Sequence, residues 1–323
     1  MVSLALPKGS PLERRTLDLF AAAGLDVRRA SDRSYRAGID YDGRIQVAFY
    51  RPREIPLVVE SGAFDFGLTG TEWIEETGAK VEPVRAFTAC TGTDRPWRVV
   101  LAVPTGHPAG NARELPPGVR VATEYPNIGR RFFRSLGLPA EIVHSYGATE
   151  AKIPELADAV IDVTGGDSAL RHNDLRIIDT LRTCAPHLVA GPNAWRDTDK
   201  RVTIQKVARL LDSVHAGAAR VLLTARVPAR DLPRVASAMP GPSWRAGTGL
   251  TGDDAGAGGR EGEGDLVVVQ ALVPRRHLAE TVDAVLAAGA LDVMESRVGR
   301  VATSGRDDPR GGSPGPGDPR VIT

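Results

Sequence analysis

Hydrophobic and polar residues alternate along the chain in short blocks that predict an α/β fold. The apolar run Val2–Leu6 ends in the turn Pro7–Gly9, and apolar residues at helical spacing follow it. Arg44–Tyr50 alternates as a half-buried strand does, whereas Val99–Val103 is continuously apolar, as in a strand buried on both faces. A strand, a glycine turn and a helix in this order are typical of an α/β unit.

The same periodicities predict further units as far as residue 219. Helices are predicted for Pro52–Gly62, Ile128–Leu136, Thr149–Leu156 and Val202–Ala219. Strands are predicted for Asp65–Thr69, Val119–Ala122, Ile142–Val143 and Ala159–Val163.

The last third of the chain has a different order of elements. Strands Arg220–Val227, Leu266–Val273 and Asp292–Ser296 combine with helices Asp231–Ser237 and Leu278–Ala288. A βαββαβ order in so short a segment indicates a separate ferredoxin-like module. The glycine-rich stretch Gly247–Gly264 predicts a flexible loop, and we expect the tail from Ser304 to be disordered.

Composition narrows the class of protein. The chain has 323 residues, 42% of them hydrophobic, and a net charge of +1. This length predicts two or three domains, and the balanced charge disfavours a nucleic-acid binder that acts through a basic field. Because no apolar run approaches the roughly 20 residues that a bilayer needs and the N-terminus is unlike a signal peptide, we expect a cytoplasmic protein without a membrane span.

Common catalytic motifs do not occur, and the polar residues instead cluster at strand ends. The sequence has no H-E-x-x-H, G-x-S-x-G or Walker loop, and its two cysteines are too few for a zinc site. Polar segments follow four apolar strands, namely Lys8-Gly9, Asp65–Thr71, Thr123–Asn127 and Asp162–Ser168. In open α/β sheets the ligand crevice lies beyond the carboxyl ends of strands, so these segments predict a site for an anionic small molecule. Read singly, each of them is also compatible with an ordinary turn.

Several of these segments form longer blocks that resemble a known family. The blocks are LALPKG, RPREIPLVVESGAFDFGLTGTEW, RPWRVVLAVP, VATEYPN, SYGATEAKIPELADAVIDV and LRHNDLRIIDT. They resemble ATP phosphoribosyltransferase, the first enzyme of histidine biosynthesis, in its long form with a C-terminal regulatory domain. The resemblance covers residues 2–300 in unbroken order.

The resemblance implies a fold of two periplasmic-binding-protein-like (type II) α/β lobes with a cleft, plus a C-terminal ferredoxin/ACT-like α+β domain that binds histidine. Lobe I is expected at residues 1–97 and 186–216, and lobe II at residues 98–185. The ACT-like domain is expected at residues 217–303, followed by a disordered tail at residues 304–323.

It also implies a reaction, its ligands and its site. N1 of ATP is joined to C1′ of phosphoribosyl pyrophosphate, and pyrophosphate is released with Mg²⁺ present, in a homo-oligomer (dimer or hexamer). The carboxylates expected to hold ribose hydroxyls are Glu150 and Asp162. The residues expected to bind substrates are Lys8, Gly9, Arg51, Thr69, Gly70, Thr164, Gly165, Gly166, Asp167, Ser168 and Ala169.

The predicted phosphate loop departs from the family pattern. Asp167 stands where a glycine is usual, and Ala169 replaces the last hydroxyl residue. A carboxylate near a phosphate would cost about 3 kcal/mol at an effective dielectric near 20. Thr164–Gly166 with Ser168 could instead form a shifted phosphate nest, because two glycines permit conformations that other residues avoid.

Three hypotheses therefore remain at this point. The first is an ATP phosphoribosyltransferase with an unusual loop. The second is a diverged paralogue that acts on a different donor or acceptor in specialised metabolism. The third is a non-catalytic homologue that closes on a nucleotide and serves as a sensor.

Overall fold

The computed structural model describes residues 1–31, 33–87, 96–164, 168–239, 244–248 and 266–302, with only the backbone at 168, 169 and 244–248. The chain separates into two compact units, Met1–Leu211 and Asp212–Thr323. In these ranges no helix combines the length and the apolar character needed to cross a bilayer.

The first unit is built from alternating strands and helices. Its strands are β1 (Val2–Pro7), β2 (Arg28–Arg29), β3 (Arg36–Ile39), β4 (Ile45–Tyr50), β5 (Phe66–Gly70), β6 (Glu82–Ala86), β7 (Trp97–Pro104), β8 (Val119–Thr123), β9 (Ala140–His144), β10 (Ala159–Thr164), β11 (Leu175–Cys184) and β12 (Pro186–Ala190). Its helices are α1 (Pro11–Ala22), α2 (Ile55–Glu60), α3 (Thr71–Thr77), α4 (Pro126–Ser135), α5 (Ser168–His172), α6 (Pro192–Arg196) and α7 (Thr198–Ala218), the last of which runs into the second unit.

The strands of the first unit form two sheets. The seven-stranded sheet has the order β2-β3-β4-β1-β5-β12-β6, and we call it and its helices lobe I. The five-stranded sheet has the order β11-β7-β10-β8-β9 and belongs to lobe II. The chain passes from lobe I to lobe II after β6 and returns before β12, where it pairs antiparallel to β5. The predicted fold class of two α/β lobes of the periplasmic-binding-protein type is confirmed, while the residue boundaries given for the lobes stay predictions.

The most apolar runs form central strands. Leu4, Ala5 and Leu6 of β1 are fully buried, and β1 pairs in parallel with β4 on one side and β5 on the other. Val99–Val103 of β7 is fully buried between β10 and β11, as its continuous hydrophobicity predicts.

Two predicted helices are shorter in the structure. Thr149–Leu156 was predicted as a helix, but only the 3₁₀ turn Glu150–Lys152 forms. Pro154 is the reason, because it has no N–H for a helical hydrogen bond and disfavours helical backbone at the residue before it. The helix predicted for Pro52–Gly62 is confined to α2, which carries its proline in the first turn.

The second unit has the predicted ferredoxin-like order. It consists of β13 (Arg220–Pro228), α8 (Leu232–Ala238), β14 (Trp244–Thr248), β15 (Leu266–Pro274), α9 (Leu278–Ala287) and β16 (Asp292–Arg297). The antiparallel sheet has the order β14-β15-β13-β16, and alternate residues of β13 from Val221 to Val227 are fully buried. Of the predicted flexible loop, residues 247 and 248 belong to β14. The rest of that loop and the predicted disordered tail lie outside the described residues.

Helix α3 joins lobe I to lobe II. It begins where β5 of lobe I ends, but the carboxylate of Glu76 accepts the backbone N–H groups of Asn127 (3.0 Å) and Ile128 (2.9 Å) in lobe II. These N–H groups belong to the first turn of α4, whose own N-cap residue, Tyr125, makes no capping bond with its side chain. Glu76 therefore supplies the missing cap from the other lobe.

A second group of contacts lies along the same helix. The side chain of Glu75 forms two hydrogen bonds with Arg182, at 2.7 and 3.0 Å. The ring of Trp73 lies 4.5 Å from that of Tyr125, measured between centroids. Because α3 makes both hydrogen bonds and an aromatic ring contact with lobe II, it sets the distance between the two lobes.

We expect Glu76→Ala to lower the free energy of unfolding by about 2–3 kcal/mol, because two backbone donors lose their acceptor in a mostly buried place. Glu76→Gln keeps one carbonyl oxygen and should lose less. The matched control is Glu75→Ala, whose partly exposed ion pair is worth about 0–1 kcal/mol. Urea denaturation measures all three variants, and equal losses for Glu76→Ala and Glu75→Ala would contradict the capping role.

Candidate functional site

A cavity of about 680 Å³ lies between the two lobes of the first unit. Its volume is within the usual range for small-molecule sites. Lobe I lines it with Gly9, Ser10, Pro11, Leu12, Arg15, Arg51, Pro52, Arg53, Glu72 and Trp73, and lobe II lines it with Trp97, Glu124, Tyr125, Tyr146, Asp162 and Val163. Most of these residues follow the carboxyl ends of strands, where the sequence predicts the site.

The two walls of the cavity differ in charge. Lobe I contributes the basic residues Arg15, Arg51 and Arg53 as well as the acidic Glu72, whereas the charged residues of lobe II in the lining, Glu124 and Asp162, are acidic. A molecule that is anionic at one end and rich in hydroxyl groups at the other would match both walls.

Gly9 lies where only a glycine fits. Its φ is +71°, and a β-carbon there would overlap the guanidinium of Arg51. That guanidinium donates a hydrogen bond to the Gly9 carbonyl oxygen at 3.2 Å, so the turn after β1 and the turn after β4 are held together. The neighbouring Lys8 does not line the cavity, because its ammonium lies over the rings of Tyr35 (5.0 Å) and Phe49 (5.6 Å).

Thr69 and Gly70 were predicted to line the cleft, and the structure places both behind its wall. Thr69 is fully buried, and its hydroxyl donates to the carbonyl oxygen of Pro52 at 2.8 Å. A β-carbon at position 70 would overlap the carboxyl group of Glu72. Thr69 thus supports the arginine-bearing turn, and Gly70 leaves room for the carboxyl group that does line the cavity.

Asp162 is the predicted carboxylate that the structure places at the cavity. Its Oδ1 accepts the N–H of Val163 at 2.6 Å. Burial raises the pKa of Asp162 to about 7, and repulsion from Glu150 and Glu124 adds to that rise. Glu150 therefore lies near enough to interact with Asp162, although it does not line the cavity.

The predicted phosphate loop is described only in part. Thr164 ends β10 and is buried. Gly165, Gly166 and Asp167, together with the side chains of Ser168 and Ala169, lie outside the described residues. The helix α5 begins at Ser168.

Glu72 was missed by the sequence analysis. Glu72 lines the cavity although only 5% of the residue is exposed, and its Oε2 accepts the indole N–H of Trp97 at 3.0 Å. Burial raises the pKa of Glu72 to about 7, although hydrogen bonds from its own backbone N–H, from Trp97 and from Cys184 lower it. The sequence signal that could have identified Glu72 is a carboxylate in the first helical turn after a buried strand.

Aromatic side chains form much of the remaining surface. Tyr125 is buried, and burial, together with the nearby carboxylates of Glu72, Asp162 and Glu124, raises the pKa of its phenol well above the usual range. Tyr146 is 82% exposed, and its ring is stacked on that of His144 with 4.4 Å between centroids. Trp73 and Trp97 also line the cavity. Flat apolar faces of this kind suit a heterocyclic base.

Several known proteins are similar to this chain in sequence. The profile of the family described as "HisG: ATP phosphoribosyltransferase" matches residues 51–213. An ATP phosphoribosyltransferase from Chlorobium luteolum is 40% identical over 240 residues, which are 74% of this chain and 80% of the relative. One from Pelotomaculum thermopropionicum is 34% identical over 292 residues, which are 90% of this chain and 96% of the relative.

A solved structure is similar as well. The ATP phosphoribosyl transferase (HisG:HisZ) complex from Thermotoga maritima contains a chain that matches with a TM-score of 0.54 and 26% sequence identity. The match covers 66% of this chain and 99% of the other. With the profile match and the two relatives, this likeness shows that the chain belongs to the ATP phosphoribosyltransferase family.

Proposed function

We propose that the chain transfers the phosphoribosyl group of phosphoribosyl pyrophosphate to N1 of ATP and releases pyrophosphate, in the first step of histidine biosynthesis. The observation that carries this proposal is the cavity between the lobes, where arginines face carboxylates and aromatic rings. Family membership favours this function over the paralogue and the sensor that the sequence left open.

Lobe I would bind the nucleotide. The three arginines Arg15, Arg51 and Arg53 supply positive charge for a triphosphate, and Gly9 lets the backbone of the first turn come close to it. Trp73, whose ring packs against that of the buried Tyr125, offers a flat face for the adenine ring. Lys8 would act indirectly, through the turn after β1 to which it belongs.

Lobe II would bind the ribose of the donor. Asp162 and Glu150 carry the carboxylates that can accept hydrogen bonds from ribose hydroxyls. As the bond between C1′ and pyrophosphate breaks, positive charge develops on the ribose, and a carboxylate beside it lowers the energy of the transition state. Contact with hydroxyl donors and with positive charge would in turn lower the pKa of Asp162.

The segment Thr164–Ala169 would hold the 5′-phosphate of the donor. It begins at the last residue of β10, two residues after Asp162, so the distance along the chain suits a ribose 5-phosphate. Backbone N–H groups at glycine positions can approach a phosphate closely.

Magnesium would accompany the donor rather than occupy a protein cage. Among the described residues, no group of three or more His, Cys, Asp or Glu side chains could hold a metal ion. Mg²⁺ commonly binds substrate phosphates and waters with one or two carboxylates, and Asp162 and Glu124 fit that role. When bound, the ion would neutralise the leaving pyrophosphate.

We extend the proposal to a homo-oligomer (dimer or hexamer) in the cytoplasm. The Thermotoga maritima relative is described as a HisG:HisZ complex, which supports assembly with other chains in this family, and the homo-oligomer is the form expected for this chain. The ferredoxin-like second unit would be the regulatory domain that binds histidine.

Asp162→Asn should reduce kcat by about 100- to 1,000-fold, because the amide cannot offset positive charge at C1′. The matched control is Asp158→Asn, which changes a carboxylate that pairs with Arg120 just before the same strand. Pyrophosphate release from ATP, phosphoribosyl pyrophosphate and Mg²⁺ measures both variants. Activity of Asp162→Asn within threefold of the wild type would remove Asp162 from the proposed chemistry.

Gly9→Ala should weaken ATP binding by about tenfold, equivalent to about 1.4 kcal/mol, because the new β-carbon displaces Arg51. Gly43→Ala is the matched control: Gly43 also has a positive φ, +86°, but nothing lies within 4 Å of its would-be β-carbon. Isothermal titration with ATP separates the two effects. Equal affinities in both variants would show that the contact between Gly9 and Arg51 does not shape the nucleotide site.

A further inference from the structure

The carboxyl group of Glu72 has no role in the binding of phosphates or ribose described above. It lies at the aromatic part of the cavity, with Trp73 next to it in sequence and Trp97 bonded to its Oε2. The arginines that would bind phosphates belong to other segments, the turn after β4 and helix α1. An adenine ring packed on these aromatic side chains would therefore lie next to Glu72.

We propose that Glu72 is the catalytic base that accepts a proton from the exocyclic amino group of the adenine acceptor. The proposal rests on the proposed function, because it concerns the acceptor of that reaction. It adds a proton transfer that binding and charge stabilisation alone do not provide.

The step balances as follows. The lone pair of N1 forms a bond to C1′ while the bond from C1′ to oxygen breaks, and its electron pair leaves with pyrophosphate. The adenine ring then carries one positive charge. A proton of the exocyclic amino group passes to a carboxylate oxygen of Glu72, and the N–H electron pair becomes the second bond between C6 and nitrogen. The base of the product is neutral, and Glu72 later returns the proton to water.

The described residues around Glu72 leave one of its acceptor sites open to a further donor. An ionised carboxylate has about four lone-pair sites. The indole N–H of Trp97, the thiol of Cys184 and the backbone N–H of Glu72 itself account for three of them. The amino group of a base would take the fourth, and proton transfer needs this direct contact.

The protonation state suits the task. Burial raises the pKa of Glu72 to about 7, close to the pH at which a general base works best. Among the residues that the structure describes, the titratable groups that interact with it are the thiol of Cys184 on β11 and the phenol of Tyr125, with Asp162 and Glu124 around that phenol. Burial raises the pKa of Cys184 to about 12 and raises that of Tyr125 as well, so neither ionises near neutrality.

The test is the ratio of kcat/KM between the wild type and Glu72→Gln, measured across the pH range. Protonated Glu72 and glutamine have the same shape, so the ratio should be near one at low pH. It should rise through about pH 7 to roughly 100-fold, the lower end of the usual range for a general base. Titration of the substrates and of Asp162 cancels in this ratio because both proteins share it.

Glu75→Gln is the matched control, since Glu75 lies on the same helix but does not line the cavity. The ratio of kcat/KM between the wild type and Glu75→Gln should stay constant with pH. A constant ratio for Glu72→Gln would assign Glu72 a structural role and overturn the proposal. If the wild type itself transfers nothing to ATP, the proposed function fails instead, and the two failures are distinguishable.

A second variant leaves Glu72 in place. Trp97→Phe keeps an aromatic ring but removes the N–H that stabilises the Glu72 carboxylate. The pKa of Glu72 should be higher in this variant. The pH at which kcat/KM increases should therefore be higher than in the wild type. If the Trp97→Phe enzyme is active and its kcat/KM increases at the same pH as that of the wild type, the proposal is also contradicted.

Discussion

The structure of the first unit depends on the burial of two carboxyl groups carried by one short helix. Glu72 and Glu76 of α3 are 5% and 8% exposed, and burial raises the pKa of each. A buried carboxylate needs hydrogen-bond donors, and here lobe II provides them, through Trp97 for Glu72 and through the first turn of α4 for Glu76. Separation of the lobes would leave both groups without these partners, so the same bonds that cap α4 also fix the width of the cleft.

This constraint connects the fold to the chemistry. The residue before α4 is Tyr125, and Glu124 precedes it, so the bonds from Glu76 hold one wall of the cavity in place. On the other wall, Thr69 fixes Pro52, and Arg51 fixes the turn at Gly9. The arginines of lobe I and the carboxylates of lobe II therefore face each other across a cavity of defined size. A reaction between a triphosphate and a phosphorylated ribose needs positioning and charge stabilisation of this kind.

Much of this arrangement follows from the sequence. Continuous apolar runs identified the central strands β1 and β7, and the strand-end segments identified the edge at which the cavity forms. Periodicity could not say which side chain of a strand-end segment turns inward. The segment from Asp65 to Thr71 was predicted to contribute to the site, yet Thr69 and Gly70 lie behind the wall of the cavity. Glu72, the first residue after that segment, lines the cavity. Short polar strands such as β2 were missed because pairing with neighbouring strands, rather than their own hydrophobic pattern, holds them in place.

The most direct test of the constraint on the lobes is the distribution of distances between them. Spin labels at position 28 in lobe I and position 141 in lobe II, both exposed, would report it by pulsed electron paramagnetic resonance in a Cys90→Ser background that keeps the buried Cys184. We expect one narrow distribution for the unliganded protein and a broad one for Glu76→Ala. A broad distribution in the unliganded wild type, or an unchanged narrow one in Glu76→Ala, would contradict the claim that α3 sets the spacing of the cleft.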